Sequence, residues 1–239
     1  MCLGQILAIT VRVGIFALNL FNMPINRDAY REIVSELQGQ SIALVAVSKT
    51  KTVEDILALY AEGQRDFGEN YVQELLDKHL GLPADIRWHF IGHLQTNKVK
   101  QLISFVYLIH GVDSLRLLKE IDRQAAKVGR VVDVLLQVHI AREETKFGLD
   151  TTELEEVMGA KEALKHVRVR GLMGMASNTE DVVAVRSEFR GLKTLFDGWF
   201  SDGGILSAGM SGDYRIAIEE GSNMVRIGSL LFGPRGENL

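Results

Sequence analysis

Apolar positions fall into two kinds of run along this chain. The short continuous kind is clearest in Ile42-Ala43-Leu44-Val45-Ala46-Val47. Six apolar residues with β-branched members and no polar interruption read as a strand buried on both faces, as in a parallel sheet. The longer kind has apolar residues three and four apart, such as Tyr30, Ile33, Val34 and Leu37, which is the stripe of an amphipathic helix. Strands are predicted over 42–47, 65–68, 88–91, 106–110, 131–140, 167–173, 205–207 and 224–227. Helices are predicted over 27–37, 53–62, 71–80, 98–103, 115–127, 153–164, 181–196 and 214–219, with a short closing segment to Phe232. Strict alternation of β and α implies a parallel sheet with helices outside it. Eight such units without a break in composition predict a single α/β domain, a closed (β/α)8 TIM barrel. An open doubly wound sheet is the alternative, but no G-x-G-x-x-G follows the first strand.

Composition narrows this further. The chain has 239 residues, 46% hydrophobic and 24% charged, enough for one sizeable core. A formal net charge of -4 argues against nucleic acid as a partner, which usually selects a basic excess. The single cysteine, Cys2, excludes an internal disulfide framework and points to a reducing cytoplasm. Residues 1–25 are mostly apolar, with Arg12 as their only charge. No basic segment precedes this stretch, and the runs flanking Arg12 are too short to span a bilayer. They are read as an extension upstream of the barrel, or as a helix packed on it, and no membrane partner is expected. The barrel is assigned to 26–239.

Candidate chemistry gathers where the strands end. Active sites of such barrels lie at the C-terminal ends of the strands. Lys49 follows the first strand; Glu69 and Asn70 the second; Gly92, His93 and Gln95 the third; Asp113 and Ser114 the fourth. Lys146 lies in the loop after the fifth, Gly209, Met210 and Ser211 follow the seventh, and Gly228 and Ser229 the eighth. A lysine at a strand end ordinarily points to water, and Ser114, Asn70 and Ser211 also suit helix N-caps. Convergence on one face favours chemistry. Burial lowers a lysine pKa, and a neutral amine is what a Schiff base with an aldehyde cofactor requires. Glycine and serine in the last two loops put backbone N–H groups and hydroxyls where a phosphate binds. A phosphate-bearing aldehyde would bridge from Lys49 to this cup. Arg226, on the same strand as the cup, would meet the pyridine nitrogen of a bound ring. Arginine has no acceptor, so it would keep that nitrogen unprotonated and the ring a weak electron sink. The alternative for Arg226 is a surface ion pair with Glu219 or Glu220.

Five motifs match a known family: Ala46-Val47-Ser48-Lys49-Thr50, the run from Phe67 to Glu74, the run from His89 to Lys98, Gly171-Leu172-Met173, and the run from Gly221 to Gly228. Over 26–233 the chain resembles the pyridoxal phosphate homeostasis proteins (the YggS/PROSC family). The resemblance implies a barrel similar to the N-terminal domain of alanine racemase. It implies pyridoxal 5′-phosphate held as a Schiff base on Lys49, and a role in vitamin B6 homeostasis without an established catalytic reaction. By position, Ser211, Gly228 and Ser229 would be phosphate ligands, Arg226 the partner of the ring nitrogen, and Asn70 part of the ring pocket. Ala208, Asn223, Gly111 and His139 stand where the family usually has Met, Thr, Ser and Asn. The first two of these changes are expected to bear on the surroundings of the phosphate.

Three functions compete. A carrier and buffer would bind the cofactor reversibly and pass it to pyridoxal phosphate-dependent apoenzymes. An amino-acid racemase would need a second base opposite the lysine. In the racemases this chain resembles, that base is a tyrosine from a C-terminal β-domain of a partner subunit, which does not follow the eighth unit here; a monomer is accordingly expected. His89, His93 and Lys146 are possible substitutes. A zinc hydrolase would use His89, His93 and His110, but no fitting carboxylate set accompanies them. The carrier is favoured, with no catalytic residue and no metal assigned.

Overall fold

The computed structural model describes residues 25–143 and 147–233. Eight parallel strands close on themselves in chain order: β1 (Ala43–Val47), β2 (Asp66–Glu69), β3 (Arg87–Phe90), β4 (Leu108–Val112), β5 (Val132–Gln137), β6 (Val167–Met173), β7 (Ile205–Ser207) and β8 (Met224–Ile227). The seam pairs β1 with β8, with Val45 opposite Arg226. The helices between them are α1 (Arg27–Gln38), α2 (Val53–Ala61), α3 (Val72–Gly81), α4 (Val99–Leu102), α5 (Leu115–Lys127), α6 (Thr151–Ala160), α7 (Val182–Trp199), α8 (Tyr214–Glu219) and α9 (Ser229–Phe232). The expected TIM barrel is therefore the fold. The predicted extension falls almost wholly outside the described residues.

The double burial expected of β1 follows from the pleat. Leu44 and Ala46 pack outward into the layer beneath the helices, whereas Val45 packs with Leu108, Leu135, Met173 and Met224 in a separate small cluster. The helices begin where sequence chemistry says they should. Thr52 and Asp55 form a capping box on α2, Asp150 and Glu153 another on α6, and Ser114 caps α5 by accepting from the Leu117 N–H. Among the described residues no helix is long and apolar enough to cross a membrane.

Several elements differ from the periodicity reading, the helices Thr151–Ala160 and Val182–Trp199 in their ends and three others as follows. The fourth strand sits at Leu108–Val112 rather than 106–110, and its pairing with β5 shifts register between Ile109 and Val112. The fifth stops at Gln137, where the chain leaves the sheet and makes an isolated bridge from Val138 to Leu149. The helix expected over 98–103 opens as a 3-10 turn, Thr96–Lys98. Apolar runs report burial, and Val106 and Val138 are buried without being ladder residues.

Candidate functional site

A cavity of about 280 Å³ opens at the C-terminal ends of the strands, with Lys49, Asn70, Ser211, Arg226, Gly228 and Ser229 all in its wall. The six residues expected from the sequence are brought together, from four different places along the chain. Lys51, Ile91, Met175 and Met210 complete much of the lining. Lys49, Lys51 and Arg226 are basic side chains, and no acidic side chain lines the cavity among the described residues. In a chain of net charge -4, this is a local concentration of positive charge facing an apolar-walled space, which favours an anion.

Lys49 is partly buried on a turn that is held firmly. Thr50 after it sits at φ 64°, in the left-handed region that a β-branched residue rarely enters. A buried ionic cluster holds the turn there. The Lys78 ammonium donates to the Ser48 carbonyl at 2.8 Å, to Glu69 Oε1 at 2.8 Å and to Glu74 Oε1 at 2.7 Å. The Ser48 hydroxyl donates to Glu69 Oε1 at 2.6 Å, and the Thr50 N–H donates to Glu74 Oε1 at 2.5 Å. Both neighbours of Lys49 are thus tied to one cluster. Burial pushes the Glu69 carboxyl up, against the opposing pull of Lys78. Sequence reading placed Glu69 at the strand end, but nothing in one sequence pairs it with Lys78 in the last turn of α3.

Arg226 is 4% exposed, enclosed by the barrel. Its Nη1 donates to the Ser207 carbonyl at 2.8 Å and to Ser207 Oγ at 2.6 Å, and its Nη2 to the Gly174 carbonyl at 3.0 Å. Burial lowers its pKa to about 10, with Asp213 acting the other way, so it stays protonated at neutral pH. The alternative of a surface pair with Glu219 or Glu220 is overturned, since those carboxylates are held by Arg186 and Arg190.

The last two loops meet: Ser211 Oγ accepts from the Gly228 N–H at 3.2 Å. A Cβ on Gly228 would lie 3.3 Å from both the Val47 Cβ and its carbonyl, so glycine lets the loop close against β1. Ser211 and Asn70 are therefore not the helix caps they resembled; only Ser114 is. Asn70 Oδ1 is buried with no hydrogen-bond partner. An unmade bond of that kind costs roughly 1–3 kcal/mol, and this one belongs to a residue of the cavity wall. A cationic cavity with a partly buried amine, two hydroxyls and an unsatisfied amide fits a phosphorylated heteroaromatic aldehyde.

Other candidates fall elsewhere. His93 is not among the lining residues; its Nδ1 is 2.9 Å from Asp113 Oδ2 and its ring is stacked on Phe147. His89 and His110 are fully buried and bonded to each other. Among the described residues no three His, Cys, Asp or Glu side chains converge as a metal site would require. Lys146 lies outside the described residues. The expectation that Asn223 bears on the phosphate is corrected: it precedes β8 at the opposite end of the barrel, where its side chain accepts from the Leu206 N–H and donates to the Gly204 carbonyl.

Comparison with known proteins gives a consistent relationship. The family model described as the alanine racemase N-terminal domain matches residues 25–236. A pyridoxal phosphate homeostasis protein of Aquifex aeolicus is 44% identical over 204 residues, covering 83% of this chain and 90% of the relative. A solved structure of PipY from Synechococcus elongatus PCC7942 with PLP bound is 34% identical, with a TM-score of 0.76 over 84% of this chain and 99% of that one. An alanine racemase of Clostridium difficile shares the fold at 16% identity, with a TM-score of 0.70 over 90% of this chain and 59% of its own.

Proposed function

The chain belongs to the alanine racemase N-terminal domain family, in its pyridoxal phosphate homeostasis branch, and from that premise we propose that it binds pyridoxal 5′-phosphate reversibly and serves intracellular vitamin B6 homeostasis. Lys49 would hold the cofactor through its aldehyde. Ser211, Gly228 and Ser229 would take the phosphate, Arg226 would pair with the ring nitrogen, and Asn70 would line the ring pocket. One observation carries the reading: these six residues line a single basic cavity. The PLP-bound relative supports the same ligand.

When bound, the cofactor supplies an aldehyde for amine exchange and an electron-withdrawing ring. The residues around it suit holding more than turnover. A protonated arginine at the ring nitrogen denies the ring the proton that makes it a strong electron sink. The protein limits free aldehyde as a cytoplasmic monomer and passes it to apoenzymes that need it. Equilibrium dialysis against pyridoxal 5′-phosphate and pyridoxal tests the reading, with the phosphate ester binding at least tenfold more tightly. Equal affinity would contradict it. Deuterium incorporation at Cα of alanine in D2O, above the rate with free cofactor, would favour a racemase instead.

A further inference from the structure

The barrel interior is not wholly apolar. A line of polar side chains runs through it from β2 to the cavity. Asp66 Oδ1 lies 2.9 Å from His89 Nε2, and His89 Nδ1 lies 2.9 Å from His110 Nε2. His110 Nδ1 lies 3.1 Å from Ser207 Oγ, which accepts from Arg226 Nη1 at 2.6 Å. His89, His110 and Ser207 are completely buried, so each ring nitrogen and hydroxyl must find its partner within the line.

That requirement fixes a direction. Asp66 is also held by Arg87, and its carboxylate can only accept. His89 therefore donates through Nε2 and offers Nδ1 as acceptor. His110 then donates through Nε2 and offers Nδ1 in turn. The Ser207 hydroxyl gives its proton to that nitrogen, leaving its lone pairs for Arg226. Every donor meets an acceptor in this order. In the reverse order His110 would donate to Ser207, whose oxygen would accept from both neighbours and whose buried hydroxyl hydrogen would find no acceptor within the line. Burial, reinforced by the charge of Arg226, keeps the His110 imidazole from gaining a second proton.

We propose that Asp66, His89, His110 and Ser207 form a one-way hydrogen-bond line that positions Arg226. It commits Nη1 to Ser207 and leaves Nε–H and one Nη2–H for the cavity. Asp66 is then a positioning residue for a ligand it never touches. The claim rests on the reading of Arg226 as the ring-nitrogen partner, but the order of the line is measurable without cofactor.

The test is ¹⁵N NMR of the histidine rings in cofactor-free protein, followed by cofactor titration. In the unaltered chain His89 and His110 should both carry their proton on Nε2. Asp66→Asn replaces a pure acceptor with an amide that also donates, so a population of His110 should move its proton to Nδ1. Arg87→Gln, which keeps the carboxylate, should leave the tautomers unchanged. Ser207→Ala should weaken pyridoxal 5′-phosphate binding about tenfold, the loss of one hydrogen bond to a charged group, and move the absorbance maximum of the bound cofactor. Identical His110 tautomers in the unaltered chain and Asp66→Asn would overturn the proposal. So would a Ser207→Ala variant with unchanged affinity and spectrum, which covers the case where Asp66→Asn does not fold. A failure of the unaltered chain to take up cofactor would overturn the reading of the cavity instead, while the tautomers would still decide the line.

Discussion

At the scale of single residues, the site works by what surrounds each reactive group. Lys49 is useful because Ser48 and Thr50 are immobilised on either side of it, one by its carbonyl and hydroxyl and the other by its N–H. Lys49→Ala removes the amine without touching these bonds. The variant should lose the visible absorbance of bound cofactor and keep the far-ultraviolet circular dichroism of the parent. A collapsed spectrum would assign Lys49 a structural role. The lysine was legible in the sequence because a polar residue directly after a doubly buried strand stands out. Lys51 was not, because four residues past the strand end it looks like any solvated loop cation, yet its ammonium reaches the Phe232 carbonyl at 3.0 Å and it lines the cavity.

At the scale of elements, two packing arrangements shape the mouth. The upper ends of β2, β3 and β4 approach backbone to backbone. A Cβ on Gly92 would lie 2.2 Å from the Asn70 carbonyl, and one on Gly111 would lie 2.5 Å from the Gly92 carbonyl. Glycine at 111 is thus what this backbone accommodates, where the family resemblance anticipates serine. Gly92→Ala should displace Asn70 and reduce pyridoxal 5′-phosphate affinity by tenfold or more, with the phosphate end of the cavity still competent to bind inorganic phosphate. Calorimetric titration of both ligands checks this. The second arrangement is the clamp from α3. The Lys78 and Glu69 side chains are 8% and 0% exposed. Lys78→Ala would strand the Glu69 carboxylate in a buried site, a change that costs about 3–5 kcal/mol and should appear as a lower urea midpoint. The strand and helix order could be read from periodicity, since it records burial. The clamp could not, because the pairing of Lys78 with Ser48, Glu69 and Glu74 exists only once the barrel has closed.

At the scale of the whole molecule, charge and topology divide the barrel into two ends. The mouth gathers cations for the ligand, and the interior line ends on Asp66, tied to Arg87. Burial raises the Asp66 carboxyl, but hydrogen bonds from Arg87 and His89 outweigh this and bring it from 3.8 to about 2. A carboxyl lowered on folding adds stability that is complete above its unfolded pKa and disappears as pH falls through the folded one. Stability should therefore decline as the pH drops from about 4 towards 2. Asp66→Asn should flatten that limb, in chemical denaturation followed across the range. Glu36, Glu120 and Glu220 are also lowered by arginine partners and contribute to the same limb, while the raised Glu69 opposes it. The fold class was legible because eight alternating units leave few topologies. The through-barrel line was not, because His89 and His110 read from sequence as core or metal histidines and only the closed sheet brings Ser207 to them.

The claim on which the account depends is that one amine, on the turn after β1, carries the cofactor. Borohydride reduction of the protein saturated with pyridoxal 5′-phosphate, followed by peptide mass mapping, reads this directly. The account predicts a single phosphopyridoxyl adduct on Lys49. An adduct on Lys51 instead, adducts spread over surface lysines, or none at all would contradict it.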